Sequence, residues 1–165
     1  MRLRRALCAA ALSAACVVAG CRQSDGAWPA EKDEVPNRLH DLQRDMESVA
    51  AGEADGPKDL ADDLAVFATE PEGVAASRTL AGSVSVVLVK RKLTEDALKQ
   101  LSTILWKSVG SRELSERQVD ALKDDMRGTL ISIGVAQSDA NAVADRVGQT
   151  QKAVTSRTRR WYERY

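Results

Sequence analysis

The chain is poor in the residues that most reaction chemistry requires. It has one histidine, His40, and three cysteines among 165 residues, and only Cys21 lies beyond the first 20 positions. Ser/His/Asp and Cys/His catalysis therefore lack their parts, as does a zinc site built from Cys and His. The glycines stand singly, not in a phosphate-cradling loop. With Cys21 alone after the first 20 residues, no disulfide can staple the fold, which must hold by packing. Aromatics make up 4% of the chain and Phe67 is the only Phe. The core must then come from Leu, Val, Ile and Ala, the usual filling of packed helices. A membrane span is missing too: the apolar run from Ala6 to Ala19, broken by Ser13, falls short of the ~20 residues a helix needs to cross a bilayer.

What that run does fit is a secretory signal. Arg2, Arg4 and Arg5 precede it, and the small residues Ala19 and Gly20 follow. Cys8 and Cys16 lie inside it as apolar filler. Val18-Ala19-Gly20-Cys21 resembles the lipobox of bacterial lipoproteins, an aliphatic residue and two small ones before a cysteine, although Leu is commoner than Val at the first place. The resemblance covers the first 21 residues only. It implies a signal peptide over 1–20, a diacylglyceryl thioether on Cys21 and a further acyl chain on the new amine. Two or more buried chains, at about 0.8 kcal/mol per CH₂, anchor a protein stably where one is marginal. It also implies sorting: Arg22 in place of Asp favours the outer membrane, facing the periplasm. In a Gram-positive cell the same anchor would hold the outer face of the plasma membrane. The competing reading is a plain signal peptide cut near Gly20.

Residues 21–35 are polar, contain Gly26 and Pro29, and read as a flexible tether with a mean span of about 20 Å. Residues 36–165 read as one all-α domain, a small bundle of about five to six helices. Asn37 is placed to cap a helix reaching Ala51, striped by Leu39, Leu42, Met46 and Val49, with Gly52 as its stop. A shorter helix starts near Pro57 and buries Leu60, Leu64 and Phe67, and Pro71 and Gly73 end that unit. From Val74 to Arg91 two patterns compete. Leu80, Val84, Val87 and Leu88 keep a helical stripe, whereas Ser83-Val84-Ser85-Val86 alternates like a strand. No other segment offers a strand partner, so helix is the better reading. Thr94 caps the next helix, which buries Leu98, Leu101 and Leu105. Ser115 and Gln118 have capping-box spacing ahead of Val119, Leu122, Met126, Leu130 and Ile133, ended by Gly134 with Val135 closing the cap. The last helix opens at Ser138 and Asp139. Ala140, Val143, Val147 and Val154 stripe it, and it continues towards Trp161.

The precursor is neutral overall, but residues 22–72 carry 14 acidic and 5 basic side chains and residues 73–165 carry 10 and 16. That asymmetry either orients the domain towards a charged surface or partner or is neutralised across the fold. His40 reads as a flank residue of the first helix. Two carboxylate groups have spacings that could hold a cation or supply an acid/base pair: Asp59, Asp62 and Asp63, and Asp120, Asp124 and Asp125. Both read more simply as solvated helix faces, so neither a metal, a cofactor nor a catalytic residue is expected. The unusual surface is the tail. Arg157, Arg159, Arg160 and Arg164 stand among Trp161, Tyr162 and Tyr165, a mixture suited to protein interfaces or lipid headgroups, or else to a helix end packed on the bundle.

The expected function is a membrane-anchored lipoprotein presenting a non-enzymatic binding module to a protein partner in the periplasm, with no role for nucleic acid. One concrete version is an inhibitor or immunity protein against an envelope-targeting toxin. The alternatives are a carboxylate-dependent enzyme acting on peptidoglycan or lipid, which needs two acids converging in a cleft, and a structural or adaptor component of an envelope complex.

Overall fold

The computed structural model describes residues 35–111 and 114–162, with side chains up to residue 155. The signal segment, Cys21, Trp28 and all but the last residue of the tether lie outside the described residues. Six helices follow one another: α1 (Val35–Ala51), α2 (Gly56–Ala65), α3 (Pro71–Leu88), α4 (Glu95–Gly110), α5 (Glu116–Ser132) and α6 (Gln137–Tyr162). No strand occurs among the described residues, and no helix there is long and apolar enough to cross a membrane.

Local chemistry sets most of the boundaries. Thr94 accepts a hydrogen bond from the Ala97 N–H at 3.2 Å. Ser115 and Gln118 close a full capping box: the Gln118 N–H donates to Ser115 Oγ and the Ser115 N–H to Gln118 Oε1. Gly134 takes a positive φ of 84°. Its N–H then reaches the Ile131 carbonyl while the Val135 N–H reaches that of Leu130. That pair of bonds is a Schellman motif, and buried Val135 supplies its apolar contact. Gly52, at φ 81°, ends α1 through the equivalent bonds to Val49 and Ser48.

Three boundaries differ from expectation, two of them because of proline. Helix α1 begins at Val35, so Asn37 lies inside the first turn instead of capping it. Pro36 fits there because the first N–H groups of a helix have no internal partner to lose. Pro71 opens α3 and does not close the preceding unit. Its fixed φ suits a first helical position, and it holds Glu70 extended at φ −107°, ψ 145°. Phe67 is buried as expected but sits past the end of α2, which stops at Ala65.

The Val-rich stretch that could have been a strand is the body of α3. Leu80, Val84 and Leu88, four residues apart, are fully buried, and that burial outweighs the β-propensity of the run. The helix packs against α2 and α6, and less extensively against α1. Helix α4 touches α1, α2, α5 and α6, and α6 bridges α3 and α5. One continuous apolar core results, with Leu42, Met46, Leu60, Leu80, Leu101 and Met126 among its fully buried members. Polar side chains tie the helices across it. Gln43 donates to Ser102 Oγ at 3.1 Å, Gln151 to the Ser111 carbonyl at 2.6 Å, and Thr129 to Gln100 at 3.0 Å.

Candidate functional site: a groove and a carboxyl pair

A groove of about 590 Å³ runs between α4 and α5. Its apolar lining is Ile104 from α4 and Leu122 from α5; Lys99 and Lys107 stand on one side and Asp124 and Asp125 on the other. Helix periodicity accounts for this. Positions 99, 103 and 107 repeat every four residues along α4, and Gly128, with nothing within 4 Å of where a Cβ would be, leaves the α5 side open. The rims are not equally available. Lys99 is held by Glu95 at 2.6 Å and Asp124 by Arg127 at 2.7 Å. Lys107 and Asp125 take part in none of the ion pairs found among the described residues. An apolar floor between opposite charges suits a polypeptide segment with an apolar residue flanked by an acid and a base.

The second feature is a carboxyl pair at the α1–α2 contact. Gly56 lies so close to α1 that a Cβ there would come within 2.8 Å of the Val49 nitrogen. This approach carries the acidic face of α2 onto α1, where Asp45 is 4% exposed. Burial is the largest cause of its raised pKa, followed by the Asp63 charge and a side-chain hydrogen bond with Asp63. Asp59 adds to the rise and Arg44 opposes it, and the Asp45 carboxyl is pushed up from 3.8 to about 7. Arg44 Nε stands 3.9 Å from Asp45 Oδ1, while the buried Oδ2 has no hydrogen-bond partner. Asp45 is therefore protonated across much of the weakly acidic range. Neither Asp45 nor Asp63 lines the groove.

Of the two carboxylate groups picked from the sequence, Asp120, Asp124 and Asp125 are exposed as a solvated face, with the last two on the groove rim. Asp59 and Asp62 are exposed; Asp62 pairs with Arg78 at 3.1 Å, and Asp63 is half-buried against Asp45. Asp45 itself was not singled out, though it carries a readable signal: it stands three residues after Leu42 and four before Val49, on the apolar stripe. His40 lies on the exposed flank of α1. Arg157, Arg159, Arg160, Trp161 and Tyr162 fall on the last turns of α6, and their side chains are outside the described residues, as are Arg164 and Tyr165 altogether. No protein-family model, curated protein or solved structure matches this chain.

Proposed function

We propose that the chain is a lipoprotein anchored through Cys21 to the outer membrane and facing the periplasm, and that its helical domain is a non-enzymatic module that docks a protein partner in the α4–α5 groove. The observation that carries this reading is the groove itself: an apolar floor between Lys107 on one side and Asp125 on the other. Such a surface selects a segment by charge order as well as by shape, because a partner with the reversed order meets like charges. The lipobox-like Val18-Ala19-Gly20-Cys21 supports the anchor, and the tether of about 20 Å would hold the domain close to its membrane. An inhibitor or immunity protein against an envelope-targeting toxin is the version that best uses an anchored domain with a charge-selective groove.

The carboxylate-enzyme alternative takes support from the raised Asp45. Against it, neither Asp45 nor Asp63 lines the groove, and Asp45 is 4% exposed at the α1–α2 contact.

Two measurements test the reading. Cys21→Ser should abolish labelling by radioactive palmitate; unchanged labelling places the anchor elsewhere. A photo-crosslinking residue at Thr103, inside the groove, should give a defined protein adduct in native envelopes that Asp125→Lys removes. Equal adducts from Thr103 and from exposed Val66, remote from the groove, would sink the docking site.

A further inference from the structure

The α4–α5 groove lies within reach of the chain's own segment 22–34. Helices α1 and α4 meet near their middles, where Gln43 bonds Ser102. The Lys90 N–H bonds the Ala50 carbonyl at the C-terminal end of α1. Thr94, the cap of α4, is four residues further on, so α4 starts within about 14 Å of that end. A parallel course would start it about 20 Å away, near Pro36; the two helices therefore run antiparallel. Counted along both helices from the Gln43–Ser102 bond, Val35 comes level with Gly110 in the last turn of α4. Around α4, Trp106, Thr103 and Lys107 follow Ser102 in one direction, at about 40°, 100° and 140°. Exposure rises along that arc: Ser102 is buried, Trp106 and Thr103 half-buried and Lys107 exposed. The outer face of α4 thus leads from the start of α1 to the groove wall formed by Thr103, Ile104 and Lys107.

Length and charge single out the occupant. Trp28 is the one large apolar residue in 22–34 and stands seven positions before Val35. A path from Val35 over the outer face of α4 to Ile104 is about 20 Å, and seven extended residues span about 23 Å. That length brings Trp28 over the apolar floor of Ile104 and Leu122. The residues that would cross Lys107 on the way, Glu31-Lys32-Asp33-Glu34, carry three acids and one base. Lys107 takes part in none of the ion pairs found among the described residues, so its charge is available to them. We propose that Trp28 is the resident occupant of the α4–α5 groove, and that the segment joining anchor to domain shields the docking site until a partner displaces it. This rests on the reading of the groove as a polypeptide-binding site. A tether this short gives Trp28 an effective concentration on the order of millimolar. A partner then meets a filled groove, and its apparent affinity falls with the fraction that stands open.

Disulfide trapping in the full chain tests it, with Thr103→Cys alone as the blank for any bond to Cys21. An Ala27→Cys/Thr103→Cys pair should close an internal disulfide, read as faster migration on a non-reducing gel. Closure should be about tenfold faster than in Ala27→Cys/Val66→Cys, whose second thiol is exposed off the groove, because only the first pair is held within bonding reach. Adding Trp28→Ser should slow closure about tenfold, and Lys107→Glu about threefold, while far-UV circular dichroism stays unchanged. Trp28→Ser should also raise, about threefold or more, the partner adduct formed by a photo-crosslinking residue at Thr103 in native envelopes. Equal closure by the two pairs, or closure indifferent to Trp28→Ser, would overturn the proposal. A partner adduct at Thr103 without internal closure would sink it too and leave the docking site standing. Internal closure without any partner adduct would uphold Trp28 as the occupant and remove the partner instead.

Discussion

Replacing Asp45 with Asn asks directly whether a buried acid is tied to folding. In the folded chain the Asp45 carboxyl is pushed up from 3.8 to about 7, whereas an unfolded Asp titrates near 3.9. The folded state therefore binds this proton more tightly. Between about pH 4 and pH 7 it holds more protons than the unfolded chain, so stability falls as pH rises. The contribution is whole below about pH 4 and lost above about pH 7. Three units at ~1.36 kcal/mol each set a ceiling of about 4 kcal/mol. The value of about 7 already includes the opposing Arg44; screening of the neighbouring Asp63 and Asp59 charges by solvent and salt brings the expected size to about 2 kcal/mol. Asp45→Asn keeps the shape and an N–H donor for Asp63 but cannot ionise. In urea unfolding followed by tryptophan fluorescence, the variant should be more stable than the wild type by about 2 kcal/mol near pH 7.5. Near pH 3.5 the two should agree to about 0.5 kcal/mol. A gain of the same size at both pH values, or none at the higher one, would refute the linkage.

Gly56→Ala should cost about 2–3 kcal/mol, because its Cβ would meet α1 backbone atoms at 2.8 and 3.0 Å that cannot give way as a side-chain tip could. Gly128→Ala, in open space on α5, should instead stabilise by up to about 1 kcal/mol; the same thermal-melt series reads both, and equal effects would discredit the distinction. Ser85 is 4% exposed and its hydroxyl has no hydrogen-bond partner. Ser85→Ala should therefore raise stability by about 0.5–2 kcal/mol, and a loss in denaturant titration would reveal a partner for that hydroxyl. Met126→Ala, at a fully buried position, should cost about 2–5 kcal/mol; a neutral result would mean that the face of α5 collapses without a cavity.

Features decided within a few residues were legible in the sequence. Thr94, Ser115 with Gln118, Gly52 and Gly134 act on neighbours three to five positions away, so their types and spacings announce the helix ends. The stripes through Leu42 and Met46, or Met126 and Leu130, follow from period alone. Pro71 was misread because proline ends one element as readily as it opens another; what decides is whether the residues after it find a core, as Leu80 and Val84 do. The carboxyl pair was only half visible. Asp63 stood in a recognisable acidic cluster, but nothing local says that Gly56 lets α2 press its acidic face onto Asp45. The groove was harder still, since it depends on how far α4 and α5 stand apart at Gly128, a distance set by packing across the bundle. Periodicity names the residues able to be buried; it does not say which faces find a partner.

The uneven charge of the chain now has a place in the molecule. Its acidic excess lies before residue 73 and its basic excess after, so the sign changes at the start of α3. The ion pair between Arg78 and Asp62 crosses that boundary. Those of Arg44 with Asp41, Lys99 with Glu95, Lys123 with Asp145 and Arg127 with Asp124 stay on their own side of it. These pairs therefore leave most of the acidic excess of α1 and α2 in place. The carboxylates crowded on α2 add their charge to the burial that raises Asp45, so part of the cost of that pair is the acidity of its neighbourhood and would shrink with added salt.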